Sequence, residues 1–247
     1  MEKTLIHVYR PGSFGFADFL RAIYYFSDIA NLHNYTYSIA FNHPIGEFFN
    51  NDVNPYLVNA SSYQECMDQI KANTNQIILE TNYISFPYKT PKHCIQTFVK
   101  PKQTLLDCVN NKIDSMGLKK KKYIVLHIRY GDNDNSVCEK FIKRIKSILG
   151  IVRAQNMPIL VLCSSNLILS ILNKLPGLIT TGYTPCHTST LILDGLKTTL
   201  IEFYMMEHAK KIYSISGGTF GTGKSGFSFW ASTIFEVPFT HFDSTEY

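Results

Sequence analysis

The chain has no C-x-x-C pair, although it carries six cysteines in 247 residues. Cys66, Cys94, Cys108, Cys138, Cys163 and Cys186 are scattered, which argues against a zinc ribbon or a dithiol redox motif. Free thiols in a reducing compartment are the expectation. No apolar run is long enough to span a bilayer, and the opening residues MEKTLIHVYRPGSFG lack the apolar stretch of a signal peptide. We therefore expect a soluble, cytoplasmic protein with no transmembrane segment. Repeats and low-complexity tracts are also missing. The net charge of +5 is not gathered into a basic stripe, since the lysines are spread out apart from Lys119 to Lys122. That run reads as a solvated loop before a strand, and no nucleic-acid partner is expected. With 45% hydrophobic and 17% charged residues the composition excludes a disordered or fibrous chain.

What is present is an alternation of short apolar strands with helical stretches, the pattern of parallel α/β sheets. A first series begins with a strand at Leu5 to Tyr9, a helix from about Phe16 to Leu32 and a strand at Tyr35 to Phe41. Ser62 and Glu65 have the spacing of a capping box, and QIILET follows as a strand. NYISFPYKTPKHC then breaks the rhythm and reads as a connection. A second series opens with YIVLHIR, Tyr123 to Arg129, a continuous apolar run typical of a strand buried on both faces. Pro158 to Ser164, GLITTGY and Lys211 to Ser216 continue it, with VPFTHF as a further strand. In the helix before Lys211, Leu196, Leu200, Phe203 and Met206 recur at helical spacing and predict a buried face. Two domains are expected, residues 1–100 and 101–247, with a ligand between them at the carboxyl ends of the strands.

Three loops at strand ends carry the candidate chemistry. In PGSFGFADFLRA, Gly12 and Gly15 permit a close backbone turn, and Asp18 stands near the start of the next helix. An acid there is a candidate base, and it is equally what the helix dipole favours. In HIRYGD, Arg129 leaves the end of a buried strand with a guanidinium suited to two phosphate oxygens. A structural pairing of Arg129 with Asp132, and a satisfied core role for His127, are the plainer readings. The third loop is SGGTFGTGKS, a glycine-rich turn between strand and helix, the architecture that presents backbone N–H groups to phosphate. Gly218 to Ser225 also spell the P-loop pattern G-x-x-x-x-G-K-S. A P-loop kinase or NTPase, with Lys224 on phosphate and Ser225 on magnesium, needs an acidic strand end further on, and only Asp243 is offered.

GFADFLRA, HIRYGD, and IEFYMMEHAKKIYSIS followed by SGFSFWAS together resemble the fucosyltransferases, in particular the bacterial nodulation and related GDP-fucose enzymes. The resemblance touches both halves of the chain in the family's order. It implies a GT-B-like fold of two facing Rossmann-like domains with mainly parallel sheets, the N-terminal one on the acceptor side and the C-terminal one binding the nucleotide sugar. The implied activity is inverting, metal-independent transfer of a sugar, most simply fucose from GDP-fucose, to a hydroxyl of a glycan or protein. Carried over by residue, Arg129 would grip the diphosphate and His127 would position the nucleotide, while Asp132 would orient its neighbours. Ser216, Gly217, Gly218, Thr219 and Ser225 would donate to phosphate oxygens, Lys224 would add charge, and Gly15 in the first loop would join the donor and phosphate site. Asp18 would take the acceptor proton. No cofactor or metal is implied. Tyr130 stands where many members have a second arginine, and Lys210 where some have an aspartate. A non-catalytic nucleotide-sugar-binding module is the alternative from another class.

Overall fold

The computed structural model describes residues 2–10, 15–50, 62–80, 95–131, 137–217 and 223–242. They form two compact units, Met1–Gln103 with Thr188–Lys197, and Thr104–His187 with Thr198–Tyr247.

The first unit is built on strand β1 (Thr4–Tyr9), helix α1 (Phe16–Leu32) and strand β2 (Thr36–Phe41). A short β3 (Phe49–Asn50), α2 (Tyr63–Lys71), β4 (Gln76–Leu79) and β5 (Lys100–Pro101) follow. β2, β1 and β4 make a parallel three-stranded sheet in that order, while β3 and β5 form a separate antiparallel pair. The expected capping box opens α2. The Ser62 amide donates to Glu65 Oε2 at 2.7 Å and the Glu65 amide donates to Ser62 Oγ at 3.4 Å, so two orphan N–H groups are satisfied reciprocally. Aromatic rings dominate this core. Tyr9, Phe16, Phe19, Phe26 and Phe49 are among its fully buried side chains, and Phe41 stacks on Phe49 at 5.2 Å between centroids.

The second unit takes α3 (Gln103–Ser115) almost whole, then β6 (Ile124–Arg129), α4 (Glu139–Arg153), β7 (Ile159–Cys163), α5 (Asn166–Leu172) and β8 (Leu178–Thr180). α6 (Leu193–Glu207) enters it at Thr198, and β9 (Lys211–Ser216), α7 (Gly226–Phe235) and β10 (Phe239–Phe242) complete it. All five strands are parallel in the order β10-β9-β6-β7-β8.

Strand alternation sorts this sheet into two faces. Ile124, Leu126 and Ile128 join Phe141, Ile145, Leu149, Tyr213 and Ile215 in one aliphatic core with α4 and α5. The other face carries His127 and Arg129, in register with Ser214 and Ser216. Leu196, Leu200, Phe203 and Met206 are all at most 1% exposed, the buried face their spacing predicts. No helix among the described residues is long and apolar enough to cross a membrane, and their five cysteines are free thiols.

Candidate functional site

The carboxyl ends of β6 and β9 bring together several of the candidate residues. Arg129 closes β6 beside Ser216, the last residue of β9, and the Gly217 amide donates to the Arg129 carbonyl at 2.9 Å. His127 is buried, its ring centroid 5.7 Å from that of Phe227. Burial, aided by the charges of Arg129 and His241, pushes its pKa down to about 3, so the imidazole is neutral at physiological pH. Among the described residues its Nδ1 finds no partner, and neither does Oγ of the fully buried Ser216. Deeper on the same face, Ser228 Oγ lies 3.3 Å from Ser214 Oγ, so α7 is hydrogen-bonded onto β9.

Ser225 is the buried N-cap residue of α7, yet its side chain makes no capping bond. The amides of the first helical turn are therefore not satisfied by their own cap, which leaves them suited to an anion. Lys224 is exposed, with its ammonium 5.9 Å from the Phe229 ring centroid. Asp132, Gly218 and Thr219 lie outside the described residues, as do Gly12, Asp243 and the stretch NYISFPYKTPKHC.

Gly217 has a steric reason of its own. A Cβ there would stand 2.4 Å from Phe141 Cε2, so only glycine lets β9 end against the α4 ring. Tyr130, which takes the place of a second arginine, is 3% exposed and belongs to the core. Its hydroxyl accepts the Cys138 amide at 3.1 Å and its ring meets Phe141 at 4.9 Å. Lys210 precedes β9, a strand's length from Ser216, with its amide bonded to the Tyr123 carbonyl.

Asp18 and Gly15 sit in the first unit. Gly15 is the N-cap of α1, with a φ of −70° that any residue adopts, and Asp18 lies in the first turn. The Asp18 carboxylate pairs with Arg21 at 3.2 Å. A glycine N-cap has no side chain to satisfy the helix, and Thr188 supplies what is missing. Its Oγ1 accepts the Phe16 amide at 2.7 Å and its carbonyl accepts the Tyr9 hydroxyl at 3.0 Å. Thr188 thus ties the end of β1 to the start of α1 across the loop between them. Nothing in the local sequence marks this role.

Glu202 is the other residue that motif reading misses. It lines a cleft of about 230 Å³ at the ends of β7 and β8, with Cys163, Asn166, Asn173, Thr181 and Tyr183. The side chain keeps partial accessible surface, although its packed neighbours withdraw the carboxyl from water. Burial raises its pKa to about 7, against the opposing effects of a hydrogen bond from Thr181 and the charge of Lys112. Thr181 Oγ1 donates to Glu202 Oε1 at 2.5 Å. The only available signal was a lone acid in the otherwise uncharged run TTLIEFYMM.

No family model matches the sequence, and no curated protein matches it either. The fold has clear relatives. The fucosyltransferase NodZ from Bradyrhizobium superposes with a TM-score of 0.65 at 13% identity, covering 100% of this chain and 97% of that one. NodZ α-1,6-fucosyltransferase co-crystallised with GDP gives the same TM-score and identity over 98% and 96% of the two chains. A variant of Arabidopsis thaliana FUT1 in complex with GDP reaches 0.64 at 12% identity, covering 98% of this chain and 70% of its own. The mixed α/β architecture with parallel sheets that the motifs implied is therefore the fold of these fucosyltransferases.

Proposed function

We propose that the chain is a glycosyltransferase that moves fucose from GDP-fucose to a hydroxyl of a glycan or protein, with inversion and without a metal. One observation carries the reading. Arg129, neutral His127 and the Ser216 hydroxyl, which has no partner among the described residues, converge at adjacent strand ends, in a fold shared with fucosyltransferases of which several hold GDP. Buried polar atoms without partners cost about 1–3 kcal/mol each, a penalty that a bound ligand removes.

In this reading the Arg129 guanidinium binds the diphosphate bidentately and neutralises the charge that grows as the anomeric C–O bond breaks. Ser216, Ser225 and the first turn of α7 donate to phosphate oxygens, where the proposed Gly218 and Thr219 would join them, while the Gly217 amide is spent on the Arg129 carbonyl and locks the two strand ends together instead. His127 stays neutral and offers the nucleotide one donor and one acceptor. Lys224 adds positive charge, and Asp132 orients its neighbours. The Glu202 carboxylate matches the N1–H and 2-amino edge of guanine, two donors side by side that adenine does not present. Asp18 takes the proton of the acceptor hydroxyl as its oxygen attacks the anomeric carbon from the side opposite the departing GDP. Such a single displacement inverts the centre. The fixed guanidinium serves where a divalent cation would otherwise neutralise the leaving group, which is why no metal is invoked.

A thermal-shift series with GDP, GDP-fucose and ATP, each in chelator and in magnesium, tests the reading. Stabilisation by GDP and GDP-fucose in chelator is expected, followed by acceptor-dependent release of GDP. Stabilisation by magnesium-ATP alone would overturn it in favour of a P-loop enzyme, and GDP binding without any transfer would favour a non-catalytic module.

A further inference from the structure

Helix α4 packs on the apolar face of the second sheet, yet it presents one cation to that sheet's carboxyl edge. Phe141 and Arg144 are three residues apart and so share a helix face. Phe141 occupies the space that a side chain at Gly217 would need. Arg144, partly buried, donates through Nη1 to the Ser216 carbonyl at 3.4 Å and through Nη2 to the Phe242 carbonyl. Those two carbonyls end the neighbouring strands β9 and β10. One planar guanidinium thus spans two strand ends, a task for which the arginine fork is suited and lysine is not.

A partly buried charge among apolar residues carries a desolvation cost. At the exposed rim of the same helix the Lys143 cation pairs instead with Glu139 at 2.8 Å, a solvated contact far from the strand ends' chemistry and weak by comparison. Behind Ser216, Arg144 stands where an anion bound at the carboxyl edge would feel its field.

We propose that Arg144 is a positioning residue of the donor grip: it holds the ends of β9 and β10 together so that Ser216 and Gly217 are fixed for the diphosphate, and its charge favours an anion there. The inference rests on reading the carboxyl edge of β6 and β9 as the diphosphate site, and the test separates the two. Calorimetric titrations in chelator compare GDP with guanosine, which shares the base and lacks the phosphates. The proteins are the wild type, Arg144→Met, Arg144→Lys, and Lys146→Met as an exposed control on the same helix.

Arg144→Met is expected to weaken GDP about tenfold, through loss of the background charge and of the brace between the ends of β9 and β10, while changing guanosine by less than about twofold. Arg144→Lys should recover part of the GDP affinity, and Lys146→Met should leave both ligands unchanged. Equal loss of GDP and guanosine, or GDP affinity in Arg144→Met within about twofold of wild type, would overturn the proposal. Should Arg144→Met not fold, the same GDP-against-guanosine split read in Arg144→Lys decides it. Failure of the wild type to bind GDP at all would instead remove the donor reading on which it rests.

Discussion

In the first unit the His7 ring and the Tyr37 hydroxyl lie 2.8 Å apart, and the Tyr9 hydroxyl reaches the Thr188 carbonyl. In the second, His127 Nδ1 and Ser216 Oγ are as deeply buried and have no partner among the described residues. Both sheets are parallel and both tolerate polar atoms in the core. The first resolves these groups inside a shell of aromatic rings, although His43 Nε2 just past β2 is left without a partner among the described residues, whereas the second has two such atoms side by side on neighbouring strands toward the carboxyl edge. A polar group completed by the protein adds rigidity, and one left incomplete is a place for a ligand. The contrast supports the proposed phosphate site on the second sheet by local physics, apart from any motif.

Breaking that contrast most severely, Arg129→Ala should lower the affinity for GDP by about a hundredfold or more while the melting temperature of the apoprotein stays near wild type. Calorimetry with a parallel melting curve checks both halves of the expectation. Gly217→Ala should destabilise the protein by about 1–3 kcal/mol, because the new methyl drives into Phe141. Urea denaturation reads this, and Phe141→Leu in the same molecule should relieve part of it.

Titration separates the two buried groups of the second unit by sign. Glu202 has a folded pKa of about 7 against an ordinary value near 4.5. The native state then holds the proton more tightly, and stability due to this group declines as pH rises from about 4.5 to 7 and levels off above. His127, lowered to about 3 from 6.5, works in the opposite sense and costs stability as pH falls below 6.5. Melting temperature against pH should therefore flatten above 6.5 in Glu202→Gln, where the wild type still declines. A variant curve parallel to wild type through that window would remove Glu202 as the titrating group.

In the first unit, Thr188→Val keeps the shape and removes the acceptor of the Phe16 amide, an expected loss of about 1 kcal/mol. The smallest effect is expected at Lys224. Its exposed ammonium makes Lys224→Met a change of a few tenths of a kcal/mol in stability, and a P-loop lysine would instead be indispensable for nucleotide binding.

Much of the architecture was legible because it is local. The spans Phe16–Leu32 and Lys211–Ser216 follow from apolar period and flanking glycines, and the Ser62 capping box from a four-residue spacing. Parallel pairing of β6 with β7 and β9 follows from its uninterrupted apolar run. What could not be read depends on partners far along the chain. Thr188 caps a helix that begins 172 residues earlier, Arg144 reaches a carbonyl 98 residues later, and Glu202 acquires its altered acidity only from neighbours on other elements. Gly217 illustrates the middle case. Its place in a glycine-rich turn was visible, but the Phe141 ring that demands a glycine was not.

The returning segment Thr188–Lys197 bears on how the chain matures during synthesis. Domains usually fold in order as they leave the ribosome. Here the first unit contains a piece encoded after most of the second, and the cap of α1 together with the anchor of Tyr9 arrives only with residue 188. The N-terminal unit therefore lacks the Thr188 contacts to Tyr9 and Phe16 until some 85 residues beyond Gln103 have been made. Cut at residue 103, the unit would stand permanently at that unfinished stage.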